Sequence, residues 1–313
     1  MSAQKWVRSS LRTLSARLTE AGHRVSPPTV GRLLTLLGYA LHVNAKKVEA
    51  RATHPERAAQ FSHIAQQRQE FAAAERPIVS VDTKKKELIG AFKNAGRAWS
   101  REAAAVNVHD FPSDAQGRAV PYGVYDLLHN RGTVYVGSSG DTAQFAVEAL
   151  AAWWDTQGHV TYPTTTHLLI LADGGGSNGS RTRLWKQQLQ ERLCEERGLT
   201  VTVCHYPPGC SKWNPIEHPL FGPISLNWAG QPLHTWEALL AWIRGPTTAT
   251  GLEVCAERVA GTYDTGLRVS DAEMARLNLT PHAVCPSWNY TLRPRSDTPC
   301  APIASIPKRE VNV

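Results

Sequence analysis

Few conformations are open to residues 168–179. An uninterrupted apolar run, Leu168 to Ala172, closes on Asp173, and Gly174, Gly175, Gly176, Ser177, Asn178 and Gly179 follow. The run is short for a helix, and the glycines would break one. It reads as a buried strand whose end releases a carboxylate into a loop where backbone can approach a ligand closely. Ligands of open α/β sheets bind beyond the carboxyl ends of such strands. An α/β fold with a site beside Asp173 is the first expectation.

The flanking chain supports it. Ile78-Val79-Ser80-Val81-Asp82-Thr83 is a β-rich run with an aspartate inside it. Further strands are expected near residues 87–90, 106–111, 122–126 and 133–137, which together suggest an antiparallel meander. A helix from Thr142 to Thr156, capped by Asp141, precedes the Asp173 strand. A helix at 181–197 and a strand at 199–205 follow it. Asn214-Pro215 then opens a helix bearing Glu217, and a further helix is expected at 235–243. A meander feeding a β-α-β unit gives a mixed sheet with helices on its faces.

Ahead of the sheet, Leu11, Leu14, Ala16 and Leu18 mark one amphipathic helix ending near Gly22. Ser26 is a good N-cap, and Pro27-Pro28 suit the first turn of a second helix that stops at Gly38. With Arg24 and Arg32 nearby, the pair fits a DNA-binding helix-turn-helix, or equally a plain helical hairpin. A basic connection, Ala40 to Arg51, leads to one long helix at 55–74. The expected organisation is a helix-turn-helix-like segment at 1–42, a linker and connecting helix at 43–76, a catalytic domain at 77–290 and a disordered tail at 291–313.

The formal net charge is +7, with the basic excess in the N-terminal quarter. That asymmetry suits a polyanion partner, nucleic acid being the usual one, or simply a solvated helical surface. No apolar run reaches membrane-spanning length, so no membrane partner is expected. The N-terminus lacks the apolar core of a signal peptide, which suggests a cytoplasmic protein. The six cysteines form no CxxC pair. Cys204, His205, Cys210 and His218 are the nearest approach to a metal cluster, and ordinary core or loop residues are the simpler reading.

Three carboxylates stand out by position: Asp82, Asp173 and Glu217. Each has an ordinary reading: an edge-strand charge, the start of an Asp-Gly turn, and the third residue of a capping box with Asn214 as cap. Together they fit another. Hard divalent cations want clustered oxygen ligands, and two such ions can stabilise the attacking and leaving oxygens of a phosphoryl transfer. Without metal the same acids would repel and one pKa would rise.

Five segments carry a family resemblance: 79–87 (Val-Ser-Val-Asp-Thr-Lys-Lys-Lys-Glu), 108–112, 121–126, 172–179 and 211–218 (Ser-Lys-Trp-Asn-Pro-Ile-Glu-His). So does the N-terminal segment 25–34. From about Leu11 to Tyr290 the chain resembles the Rhodopirellula-type DDE transposases of bacterial insertion sequences. The resemblance implies a ribonuclease H-like catalytic fold and metal-dependent DNA strand cleavage and transfer. Asp82, Asp173 and Glu217 match the triad of acids that holds two Mg²⁺ or Mn²⁺ ions. The partners implied are the element's ends and target DNA, with the protein a homo-oligomer on DNA near the nucleoid. Lys84, Lys85 and Lys86 would lie beside the metals and hold phosphates, unless they form only a solvated edge. Trp213, Asn178 and His218 are candidates for orienting DNA, or for plain packing and capping. Family members carry more sequence ahead of the helix pair, so a truncated copy is expected. The competing readings are a non-catalytic DNA-binding remnant acting as a repressor, and a nuclease without strand transfer.

Overall fold

The computed structural model describes residues 10–39, 54–98, 102–108 and 112–295. The basic connection at 40–51, the end of the expected 106–111 strand, and the tail from 296 onward lie outside them. The chain divides into two compact units, Met1–Ala52 and Thr53–Val313.

In the first unit, α1 (Leu11–Glu20) and α2 (Pro27–Leu36) form where capping residues place them. The Ser10 and Ser26 side chains accept hydrogen bonds from Thr13 N and Thr29 N, and the prolines occupy the first turn of α2. Val30 is the buried residue of α2, and Leu36 and Leu37 are exposed. Arg24 lies in the turn and Arg32 on α2, both open to solvent.

The second unit opens with α3 (Arg57–Ala73) and then builds its sheet. The strands are β1 (Ile78–Thr83), β2 (Glu87–Ile89), β3 (Gly117–Asp126), β4 (Arg131–Gly137), β5 (His167–Ala172), β6 (Thr200–His205), β7 (Glu253–Arg258), β8 (Leu279–Pro281) and β9 (Asn289–Leu292). The helices are α4 (Ala143–Trp153), α5 (His159–Thr161), α6 (Arg183–Gln188), α7 (Phe221–Asn227), α8 (Trp236–Arg244) and α9 (Asp271–Ala275). The sheet runs β7-β4-β3-β1-β5-β6-β9-β8, with β2 on the edge of β3. β1, β3 and β4 are antiparallel neighbours, whereas β1, β5 and β6 run parallel. This is the expected mixed sheet flanked by helices.

Alternation along β1 and β5 sorts side chains between two layers. Val79, Val81, Leu168 and Ile170 face α4 and the wide turns after α4 and α6. Ile78, Leu169 and Leu171 face α3. Most of α4 is buried, Phe145, Leu150 and Trp153 included. Each such side chain taken from water contributes about 1.5–3 kcal/mol.

Four expectations need correction. The meander is incomplete, because β2 pairs with β3 and not with β1. The expected strand near 106 reduces to one bridge between Phe92 and Asn107. The helix after β4 is capped by Thr142, whose hydroxyl accepts from Phe145 N, and Asp141 is free for another role. Asn214 caps nothing, since both ends of its amide are used on β1.

Candidate active site

Parallel pairing sets the geometry. Val81 pairs with Ala172, so Asp82, the next-to-last residue of β1, and Asp173, the first residue beyond β5, come next on adjacent strands. Both carboxylates line one cavity of about 520 Å³, together with Lys84, Lys85, Lys86, Arg118 and Asp141. Glu217 lines an adjoining cavity of about 300 Å³, and Thr83, Lys84 and Lys85 border both. Asp82, Asp173 and Glu217 are thus brought to one end of the sheet. Arg24 and Arg32 belong to the first unit.

Glu217 reaches this place through a buried polar lock. It ends a single 3₁₀ turn, Pro215–Glu217. The hydroxyl of Ser80 donates to the side-chain oxygen Oδ1 of Asn214 and accepts from Ile216 N at 3.0 Å. The Asn214 amide donates to the Val81 carbonyl at 3.0 Å. Ser80 and Asn214 are both fully buried, so these bonds face no competition from water. By strand alternation Ser80 and Asp82 share a face, which is the face carrying the 214–217 turn. Glycine on β3 clears the way: a Cβ at Gly123 would sit 2.7 Å from both Ile216 Cδ1 and Phe221 Cε1.

The electrostatics record the crowding. Burial, then the charge of Asp173 and, more weakly, those of Glu217 and Asp141, push the Asp82 carboxyl up to about 8. The Thr83 N–H, donating to Asp82 Oδ1 at 2.7 Å, offsets part of this. Burial also raises Asp173, while the Gly175 N–H and the Asn178 amide pull the other way. Burial lowers the Lys84 ammonium, which lies 4.6 Å over the Trp228 ring, and Glu87 and Glu217 counteract the shift.

Asp141 is the carboxylate that sequence reasoning misplaced. It accepts from the Thr83 hydroxyl at 3.0 Å and pairs with Lys86 Nζ at 3.4 Å. The Asp141-Thr142 dipeptide holds two good caps, and only the second is used as one. Arg118, which also lines the cavity, carried no signal, being one charged residue in a strand. His205 was read only as a loose metal candidate. It is fully buried, with Nδ1 2.8 Å from the Asp173 carbonyl, and burial lowers it to about 4. The ring is therefore neutral, and Nδ1 carries the proton it donates to Asp173 O. Cys204 and Cys210 are buried against Tyr206, and burial lifts the Cys204 thiol to about 12.

Among the described residues no group of three or more His, Cys, Asp or Glu side chains is close enough to hold one metal ion. The donors at the sheet end nevertheless suit a hard divalent cation, because all are carboxylate oxygens, and after burial it is the charge of Asp173, with smaller parts from Glu217 and Asp141, that lifts Asp82.

A family described as the Rhodopirellula transposase DDE domain matches residues 1–294. The chain belongs to that family. The protein is accordingly a transposase, and its family implies dependence on a divalent metal. No curated protein matches the chain. Among solved structures the transposase is similar to the Mos1 transposase paired-end complex with left transposon end, at 15% identity and a TM-score of 0.45 over 78% of this chain and 72% of that one. It is also similar to the Mos1 Strand Transfer Complex, at 14% identity and a TM-score of 0.43 over 78% and 71%. A third is the Mos1 mariner paired end complex with Mn, at 15% identity and a TM-score of 0.40 over 75% and 66%. Among the described residues no helix is long and apolar enough to cross a membrane.

Proposed function

We propose that the transposase cleaves DNA at the ends of its insertion sequence and joins the freed 3′-hydroxyl to target DNA, with Asp82, Asp173 and Glu217 as the catalytic acids. The observation that carries this is the delivery of Asp82 and Asp173 from adjacent parallel strand ends into one cavity, with Glu217 pinned beside them through Ser80 and Asn214. The three acids would hold two Mg²⁺ or Mn²⁺ ions, which when bound supply charge compensation for the attacking and leaving oxygens of an in-line phosphoryl transfer.

The chain's own residues do the rest. Lys84, Lys85, Lys86 and Arg118 line the cavity and hold backbone phosphates. Lys84 is fixed by the Trp228 ring, so its charge is placed with less loss of side-chain freedom than a free lysine would suffer. Asp141 orients Thr83 and Lys86, which line the same cavity as Asp82 and Asp173. The basic helix pair, with Arg24 and Arg32, contacts the DNA duplex outside the cleavage site, and the protein works as a homo-oligomer that brings two element ends together.

The test is cleavage of DNA bearing the element's terminal repeats, in Mg²⁺ or Mn²⁺. Asp82→Asn and Asp173→Asn are each expected to lower the rate by about 100-fold or more, since the lost charge compensation is worth several kcal/mol. Binding with no cleavage by the unaltered protein would favour a regulator. Cutting without joining would favour a nuclease.

A further inference from the structure

Four residues before Glu217 lies an aromatic surface that the acid site does not use. Trp213 ends the 3₁₀ turn Ser211–Trp213 and is 52% exposed. Among the described residues it is the only aromatic among the large exposed apolar side chains. Its neighbour Asn214 is wholly buried and locked to β1. The indole therefore stands on a backbone as firmly held as that of Glu217.

Phe61, from the first turns of α3, meets the indole edge-on at 6.1 Å. Two cations cover these rings: Arg57 lies 5.6 Å from the Phe61 centroid and Lys212 Nζ 5.5 Å from that of Trp213. Trp213, Phe61 and Arg57 line, with His54, Pro55 and Ala58, a mostly apolar cavity of about 550 Å³ whose lining contains no carboxylate, and Lys212 stands over the indole at its edge. An open indole costs solvation that a core position would recover, and the surrounding positive charge disfavours packing against a basic partner.

We infer that this cavity stacks an unpaired base of the DNA strand being processed, with Trp213 and Phe61 as the platform and Arg57 and Lys212 on the adjoining phosphates. The inference rests on the DNA-processing role above and adds a second contact to it. The ring faces match the π-face of any base, so the contact is expected to tolerate sequence. The cations match the polyanion to which that base is tied. Because 213 and 217 belong to one locked segment, the platform fixes the strand relative to the acids.

The experiment uses the full chain and single-stranded or end-frayed DNA carrying 2-aminopurine at successive positions. The unaltered protein should quench the probe at one or two positions in frayed DNA and at none in fully paired duplex. Trp213→Leu should abolish that quenching and weaken binding to frayed DNA by about 10-fold, whereas Trp213→Phe should retain most of both. Thermal melts of both variants confirm folding. Quenching by Trp213→Leu equal to the unaltered protein's overturns the inference. So does a change confined to self-association in sedimentation, which would make the surface a protein contact. Metal-dependent cleavage is followed in parallel. Cleavage that is lost in Asp82→Asn, with quenching indifferent to Trp213, sinks the platform alone. Quenching lost in Trp213→Leu, with no cleavage by any protein, sinks the catalytic assignment and leaves the platform.

Discussion

Asp82 holds its charge at a cost to the fold. Its carboxyl is pushed up to about 8 by burial and by neighbouring acids, so without a cation the folded chain becomes less stable as pH rises from the ordinary carboxylate range toward 8. Asp82→Asn removes that charge and leaves a side-chain oxygen to accept from Thr83 N. The variant is expected to melt higher than the unaltered protein at pH 8 without metal, by roughly 2 kcal/mol. Added Mn²⁺ should close the gap, because only the native carboxylate gains from it. Equal melting temperatures in metal-free buffer would count against the crowding of charge. His205 works with the opposite sign. It folds neutral with its pKa lowered to about 4 from 6.5, so the unfolded chain binds the extra proton between those values. Stability from this group is complete above about 6.5 and is lost as pH falls toward 4, by on the order of 3 kcal/mol. Urea midpoints measured across that window should flatten in His205→Gln. Both aspartates of the site were legible because each interrupts an apolar run. Asp141 was not, because a local cap explained it equally well and only the fold shows Thr142 taking that place.

At the level of elements, the site depends on a short segment lying flat on a sheet. Gly123 on β3 leaves room for Ile216 and Phe221, and Gly132 on β4 does the same for Leu220. Gly123→Ala would force the 215–221 segment off the strand, and overpacking of this kind costs about 1–3 kcal/mol. The larger effect should fall on activity, since Glu217 moves with Ile216. Cleavage is expected to drop further than the melting temperature implies, with raised Mn²⁺ restoring part of it. A variant whose cleavage merely tracks its stability would show that the segment tolerates displacement. The elements that escaped sequence reasoning share a cause. β7 is largely exposed and β8 and β9 are three or four residues long, so none shows a clean period. β7 and β9 enter the sheet by pairing with β4 and β6 across long stretches of chain, and β8 is added on the outer edge of β9. The wide turns at Trp154–Gly158 and Leu189–Glu195 interrupt helices whose apolar pattern runs on unbroken.

On the scale of the whole chain, the proposed function divides its work between two units. The first holds α1, α2, Arg24 and Arg32, and the second holds the acids. Arg24→Gln with Arg32→Gln is expected to weaken duplex binding and reduce the slope of log affinity against log salt by about 1 to 2, each lost phosphate contact contributing about 0.9. Mn²⁺-induced stabilisation should be unchanged, because no metal donor is touched. A shift in both would mean that the units do not act separately.

The Gln60 amide donates to the His205 carbonyl and to Asn289 Oδ1, each at 2.8 Å, and accepts from Asn289 Nδ2 at 2.6 Å. All three residues are fully buried. Turning α3 by a single position would strand several polar groups in a dry interior at about 1–3 kcal/mol apiece. The helix that carries Arg57 and Phe61 is therefore keyed to β6 like a cog, and its one permitted setting is felt, through His205, at the carbonyl of Asp173.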